Sequence, residues 1–193
     1  TPRIDYTDGG CPVLLTEPQS TNLIINSNDF SKWASLGTPT LDYCYGVSPD
    51  GTQNSTRVQM TSGDRIYAST ALATDAAFSV YLKGSGIVRL RDSSNTLTTN
   101  VTLTSEWVRY YNVGDFTSSS TVQIQYISGS VDFEIFGAQF EELSYATSYI
   151  PTYGTVRTRL QDTVTGAGTS SDFNSEEGVL FVEVGALHDG SDA

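Results

Sequence analysis

The chain has 193 residues, 22 acidic against 10 basic side chains and a formal charge of −12. It is long enough to bury a core, and its low charge content with abundant Gly, Ser, Thr, Tyr and Phe is the balance of an all-β extracellular protein rather than a cytosolic helical enzyme. Such acidity argues against a nucleic-acid partner, which is held largely by Lys and Arg on phosphates, and it repels anionic lipid or polysaccharide at long range; a neutral glycan or a protein fits better.

In chain order, residues 1–10 end in Thr7-Asp8-Gly9-Gly10, a turn signal ahead of the apolar Val13-Leu14-Leu15, and read as a linker. Asn28 or Asp29 can cap a single helical turn beginning near Phe30. Tyr43 and Tyr45 flank Cys44 at alternate positions, which in an extended segment would put both rings on one side. Ser48-Pro49-Asp50-Gly51 has Pro at the second position of a turn. Residues 57–60, 78–82 and 88–91 alternate apolar with polar and predict half-buried strands, with Lys83-Gly84-Ser85-Gly86 read as a hairpin or loop between the last two.

The same alternation recurs with larger aromatics over 107–113, 122–127 and 131–136; the last puts Val131, Phe133 and Ile135 on one face and Asp132 and Glu134 on the other. Strands recurring about every ten residues between Gly, Asn, Asp, Ser and Pro predict an antiparallel β-sandwich rather than βαβ units. Beyond Pro151, Arg157-Thr158-Arg159 leads into a Thr/Gly/Ser-rich stretch and then an apolar run at 178–184. The expected division is a linker at 1–10, the sandwich at 11–153, a linker at 154–178, and at 179–193 the first strand of a second, truncated domain. Met60 is the only methionine, so Thr1 is not an initiator and the chain reads as part of a longer protein.

Cys11 and Cys44 either form one disulfide or are two small buried apolar residues. No apolar run reaches the length needed to cross a bilayer, so membrane insertion is not expected. The only histidine, His188, lies near the end, so a catalytic triad lacks its base. Two carboxylates across a groove would serve a glycosidase, but acidic pairs are common on any acidic protein, and the chain reads as non-enzymatic. Neither a phosphate-cradling Gly loop nor a Cys/His cluster at zinc spacing is present. For sugar recognition, where aromatic faces meet pyranose rings, the candidates are Trp33, Tyr43, Tyr45, Tyr67, Trp107, Tyr110 and Tyr111. Packing is the competing role for each, most of all for Trp33 and Trp107.

Two pairs of blocks carry a family resemblance. Leu15-Thr16-Glu17-Pro18-Gln19-Ser20-Thr21-Asn22-Leu23 with Asn28-Asp29-Phe30-Ser31-Lys32-Trp33, and Gly137-Ala138-Gln139-Phe140-Glu141-Glu142 with Tyr145-Ala146-Thr147-Ser148-Tyr149-Ile150-Pro151-Thr152, resemble the opening and closing strands of a jelly-roll module of tailed-bacteriophage tail-fibre and virion surface proteins. The similarity runs from about residue 2 to 159, with support at 48–51, 78–83 and 103–110. The skeleton Asn22-Leu23-Ile24, Asp29-Phe30, Trp33 and Asp132-Phe133-Glu134-Ile135 also resembles galactose-binding-like carbohydrate-binding modules.

The resemblance implies a jelly-roll fold and a glycan bound on an aromatic face or rim, with Trp33, Tyr43, Tyr45, Trp107 and Tyr110 as the residues to carry it. It also implies a structural calcium, for which Asn26, Asn28, Asp29, Asp132 and Glu134 would be oxygen donors if the first and last strands are neighbours. Glu176-Glu177-Gly178 and the run after it are similar to the first strand of a laminin-G or concanavalin-like domain. The role implied is a virion surface module, in a tail fibre or a head fibre or decoration, assembled as a homo-oligomer with a trimer favoured, meeting other virion proteins and host cell-surface glycans. The alternatives are an ancillary carbohydrate-binding module of a secreted polysaccharide-degrading enzyme and a purely architectural element.

Overall fold

The computed structural model describes residues 3–5 and 13–163. The described residues divide into two compact units, one holding 3–5, 13–19 and 160–163 and the other Ser20–Arg159. In the first, β1 (Arg3–Asp5) pairs antiparallel with β2 (Val13–Leu15), so the segment expected to be a linker contributes a strand. Glu17 and Asp162 are tied there by two 2.9 Å bonds, from the Glu17 amide to the Asp162 carboxylate and from the Asp162 amide to the Glu17 carbonyl. Cys11, His188 and the strand expected at 179–193 lie outside the described residues.

The second unit is an antiparallel jelly-roll β-sandwich. In chain order it comprises β3 (Ser20–Asn22), a 3-10 turn (Phe30–Lys32), β4 (Ala34–Leu36), β5 (Thr40–Asp42), β6 (Thr56–Met60), β7 (Arg65–Ser69), β8 (Ala76–Asp92), β9 (Thr98–Thr102), β10 (Val108–Gly114), β11 (Thr121–Glu141) and β12 (Arg157–Arg159). Asp29 caps the short turn, its carboxylate accepting from the Ser31 amide as the capping rule anticipates. One layer runs β4-β7-β11-β8-β9 and the other β5-β6-β11-β8-β10. Both layers therefore share the two long strands, which bend from one to the other.

That sharing corrects two expectations. Residues 78–82 and 88–91 are halves of one strand, and Lys83-Gly84-Ser85-Gly86 is its bend rather than a loop. Glycine is needed there because β11 passes so close: a Cβ on Gly84 would lie 2.3 Å from the Asp132 carbonyl oxygen, and one on Gly86, at φ +95°, 2.7 Å from Val131 Cγ2. Likewise 122–127 and 131–136 are halves of β11, joined through a register shift between Ser128 and Asp132. The predicted alternation at 131–136 holds, with Val131, Phe133 and Ile135 buried and Asp132 and Glu134 facing out.

Between the layers lie Phe30, Phe78, Phe116, Phe133 and Phe140, with Phe116 and Phe140 edge to face at 5.0 Å. The two end blocks meet at one end of this core. The Leu23 amide bonds the Phe140 carbonyl at 2.8 Å, and the buried Asn22 amide group donates to the Ala138 and Ile150 carbonyls while accepting from the Ile24 and Phe140 amides. β12, which falls in the stretch expected to be a linker after 153, pairs with β3.

Candidate binding face

On the outer side of the β5-β6-β11-β8-β10 layer, three neighbouring strands place a charged residue at the same level: Glu134 on β11 is in register with Arg57 on β6 and with Lys83 on β8. Alternation turns all three outward. Lys83 Nζ is 2.8 Å from Glu134 Oε1. Arg57 turns instead to the next outward carboxylate of β11, donating Nε to Asp132 Oδ1 at 2.8 Å and Nη2 to Oδ2 at 2.6 Å, the bidentate geometry that suits a guanidinium. The bond from Arg57, aided by Gln59, outweighs partial burial and holds the Asp132 carboxyl below its usual range; reciprocally it keeps Arg57 protonated.

An aromatic ring closes each end of this row. Arg57 Cζ sits 5.1 Å from the centroid of Tyr45, and Lys83 Nζ 5.4 Å from that of Trp107. Carboxylates, cations and rings thus form a continuous strip across β6, β11 and β8, in which each cation is shared between a carboxylate and a ring.

A hairpin from Tyr45 to Ser55 frames the strip. The Tyr45 amide bonds the Ser55 carbonyl at 2.8 Å, Val47 bridges Gln53, and the Ser48-Pro49-Asp50-Gly51 turn closes on a Gly51 to Ser48 bond of 3.0 Å with Gly51 at φ +82°. Asp50 knots its tip. Partial burial would raise this carboxyl, yet bonds from Thr52, Ser48 and Asn54 prevail and bring it down to about 2. The hairpin leans over Glu134, which accepts from Ser55 Oγ at 2.6 Å, and its Val47 carbonyl accepts the Trp107 indole N–H at 3.1 Å. Tyr45 and Trp107 are therefore fixed from the same loop.

Gly46 is the point of closest approach: a Cβ there would lie 2.2 Å from Glu134 Oε2. Because the obstacle is the end of a movable side chain, Gly46→Ala is expected to fold but to displace Glu134 and loosen the Lys83 pair. A loss of about 1 to 2 kcal/mol in urea unfolding, with a changed Trp107 fluorescence maximum, is the outcome anticipated; a spectrum identical to wild type would show that the hairpin does not set the tryptophan.

The remaining candidates are distributed elsewhere. Tyr43 is 51% exposed beside the hairpin, but Cys44 adopts φ +53° in a turn, so the segment is not extended as expected and the shared-side inference for Tyr43 and Tyr45 does not apply. Cys44 itself is exposed with a free thiol rather than a buried apolar residue. Trp33, half-buried, packs on the core at 5.0 Å from Phe30 and donates its indole N–H to the Asn26 carbonyl, and it lines a cleft of about 180 Å³ together with Tyr67. Tyr110 packs against the core with its hydroxyl on the Thr102 carbonyl, while Tyr111 is exposed on the edge strand β10.

The expected calcium donors have protein partners, Asn26 through its carbonyl to the Trp33 indole N–H. Asp29 caps the 3-10 turn, Asn28 accepts from the Gly137 amide at 2.7 Å, and Asp132 and Glu134 are engaged by Arg57 and Lys83. Among the described residues no group of three or more acidic, His or Cys side chains is placed to hold a metal. Arg57 and Lys83 went unrecognised as site residues; Arg57 had only an outward position on an alternating strand as its signal, and Lys83 fell in the stretch expected to be a loop.

No family model and no curated protein matches the sequence. Among solved structures, the chain is similar to a Clostridium thermocellum endo-1,4-β-D-xylanase 10B comprising CBM22-1 and GH10 modules complexed with xylohexaose, at 19% identity over 69% of this chain and 29% of that one, with a TM-score of 0.44. It is similar to a family 29 carbohydrate-binding module at 14% identity over 66% and 91% of the two chains, TM-score 0.48. A third similarity is to the enzymatically active domain of tailspike protein 4 of bacteriophage CBA120, at 13% identity over 60% of this chain and 21% of that one, TM-score 0.40. The chain thus spans less than a third of the xylanase and tailspike chains. At these identities and scores the likenesses decide neither ligand nor origin.

Proposed function

We propose that this chain is a non-enzymatic glycan-binding module that serves on the surface of a tailed-phage virion, in a tail fibre or a head fibre or decoration, and attaches to host cell-surface glycans. The observation that carries the binding role is the strip itself: Tyr45 and Trp107 present ring faces for the apolar faces of sugars, and between them lie carboxylate, guanidinium and ammonium groups for the hydroxyls. Each carboxylate of the strip is paired with a cation, so the strip offers hydrogen-bonding groups without calling for a charged ligand to balance them. A non-catalytic role is supported by the engagement of both carboxylates of the strip, Asp132 by Arg57 and Glu134 by Lys83 and Ser55.

The virion assignment rests on the two end blocks, whose phage resemblance is accompanied by their meeting through Asn22, Leu23 and Phe140. Several copies in a fibre, a trimer in the simplest case, would turn weak single sites into firm attachment. The binding role is tested on a glycan array. Wild type is expected to retain neutral glycans, and Tyr45→Ala and Trp107→Ala each to lower affinity at least tenfold, about 1.4 kcal/mol; variants that bind like wild type would sink the strip as the site. Antibody against residues 20–159, gold-labelled on intact particles, tests the location: gold on tails or capsids supports it, and unlabelled particles refute it.

A further inference from the structure

The face continues beyond the strip into a cleft of about 330 Å³ beside the bend of β11, lined among others by Thr38, Thr40, Gln59, Ser62, Tyr126 and Ser130. This volume is at the lower end of small-ligand sites, the scale of one or two sugar units. We propose that the cleft is a second subsite for an uncharged sugar unit of the same glycan, an inference that rests on the glycan-binding reading of the strip.

Continuity is one ground. Gln59 Nε2 donates at 3.1 Å to Asp132 Oδ2, the oxygen that also takes Arg57 Nη2, so cleft and strip share a carboxylate. Gln59 follows Arg57 by one two-residue step along β6, about 7 Å. Thr40 is opposite Gln59, and Gln59 opposite Asp132, so the cleft wall crosses β5, β6 and β11 in register. A chain of sugars laid along β6 would stack on Tyr45 and carry its next units into the cleft.

The chemistry of the lining is the other. It presents hydroxyls, an amide, one half-buried tyrosine, the apolar Met60 and Val131 and two carboxylates, with no lysine or arginine among the described lining residues. Its two carboxylates are already engaged: Asp64 accepts from the Thr38 and Thr61 amides and the Thr61 hydroxyl, and Asp132 from Arg57. Uronates, sulfate and phosphate would meet these carboxylates without a free cation, whereas neutral hydroxyls find partners. At the β11 bend Gly129, at φ +84°, and Ser130 swing out of register with β8 and open the cleft.

Titration calorimetry with neutral linear hexasaccharides of glucose, xylose, mannose and galactose, their disaccharides, and hexagalacturonate tests this. Wild type is expected to bind at least one neutral hexasaccharide tenfold or more tighter than its disaccharide, and hexagalacturonate least. Thr40→Arg and, in the exposed turn, Ser62→Arg should fill the cleft, lower that hexasaccharide affinity at least tenfold and leave the disaccharide affinity unchanged; either variant that keeps the wild-type melting curve suffices. If both bind the hexasaccharide like wild type while Tyr45→Ala is impaired, the cleft is not a subsite and the strip stands. If wild type binds none of the neutral sugars, or Tyr45→Ala is unimpaired, the strip falls and the cleft with it. Preference for hexagalacturonate overturns the uncharged ligand.

Discussion

Glu141→Ala is expected to destabilise the sandwich by about 3 to 4 kcal/mol. Glu141 is fully buried at the end of β11, and its two oxygens accept from Ser20 Oγ (2.5 Å), Gln139 Nε2 (2.7 Å), the Thr147 amide (2.8 Å) and Thr147 Oγ (2.6 Å). One side chain thus joins β3, β11 and the closing block. Truncation strands donors in an interior that water does not reach, each costing roughly 1 to 3 kcal/mol before the surroundings relax. A domain of this size loses about 2 to 4 °C per kcal/mol, so a melting point lower by roughly 6 to 16 °C should accompany a lower urea midpoint. Glu141→Gln keeps one acceptor oxygen but turns an NH₂ toward donors, and should recover only part of the loss. A Glu141→Ala midpoint within error of wild type would mean that the closing block is held by other contacts.

Gly84→Ala is expected to cost about 3 kcal/mol or more through backbone rather than side-chain contacts. Its new methyl would sit 2.3 Å from the Asp132 carbonyl oxygen and 2.5 Å from Phe133 Cα. Neither atom can swing aside, so β8 and β11 must separate where they pass together between the layers. Gly51→Ala is the matched control: at φ +82° with nothing within 4 Å, it adds only left-handed strain, about 1 to 2 kcal/mol. Urea midpoints rank the two, and amide exchange localises the damage. Faster exchange confined to 79–88 and 130–136 in Gly84→Ala is the expected pattern; equal losses in the two variants would show that the close approach is not what requires glycine at 84.

Both residues lie in segments whose sequence carries a clear message about something else. Glu141 belongs to the closing block that marks the domain's end, and Gly84 to a glycine-rich stretch that looks like a loop. In each case the decisive neighbour is distant along the chain: Ser20 is 121 positions from Glu141, and Gly84 faces Phe133 across the layer. The candidate face repeats the lesson. Tyr45 and Trp107 are legible as candidate sugar-stacking aromatics, but Arg57 and Lys83 acquire meaning only when β6, β11 and β8 come into register and bring each cation between a carboxylate and a ring. Trp33 and Tyr110 have the same ring chemistry but pack, half-buried, against the core.

What the sequence by itself determined is the local part: strands with one apolar face at 57–60, 78–82, 88–91 and 131–136, the Asp29-capped turn, the Ser48-Pro49-Asp50-Gly51 turn, and an all-β sandwich bounded by two matching blocks. These follow from side-chain alternation and turn preferences, which act between residues a few positions apart. Only the tertiary structure decided that four predicted strands are the halves of two, that Asp29 caps a turn while Asp132 and Glu134 pair with cations, and that two rings and a polar cleft share one face. Strand partners and bends are set by which surfaces close over the common core, and that energy depends on residues far apart in the chain.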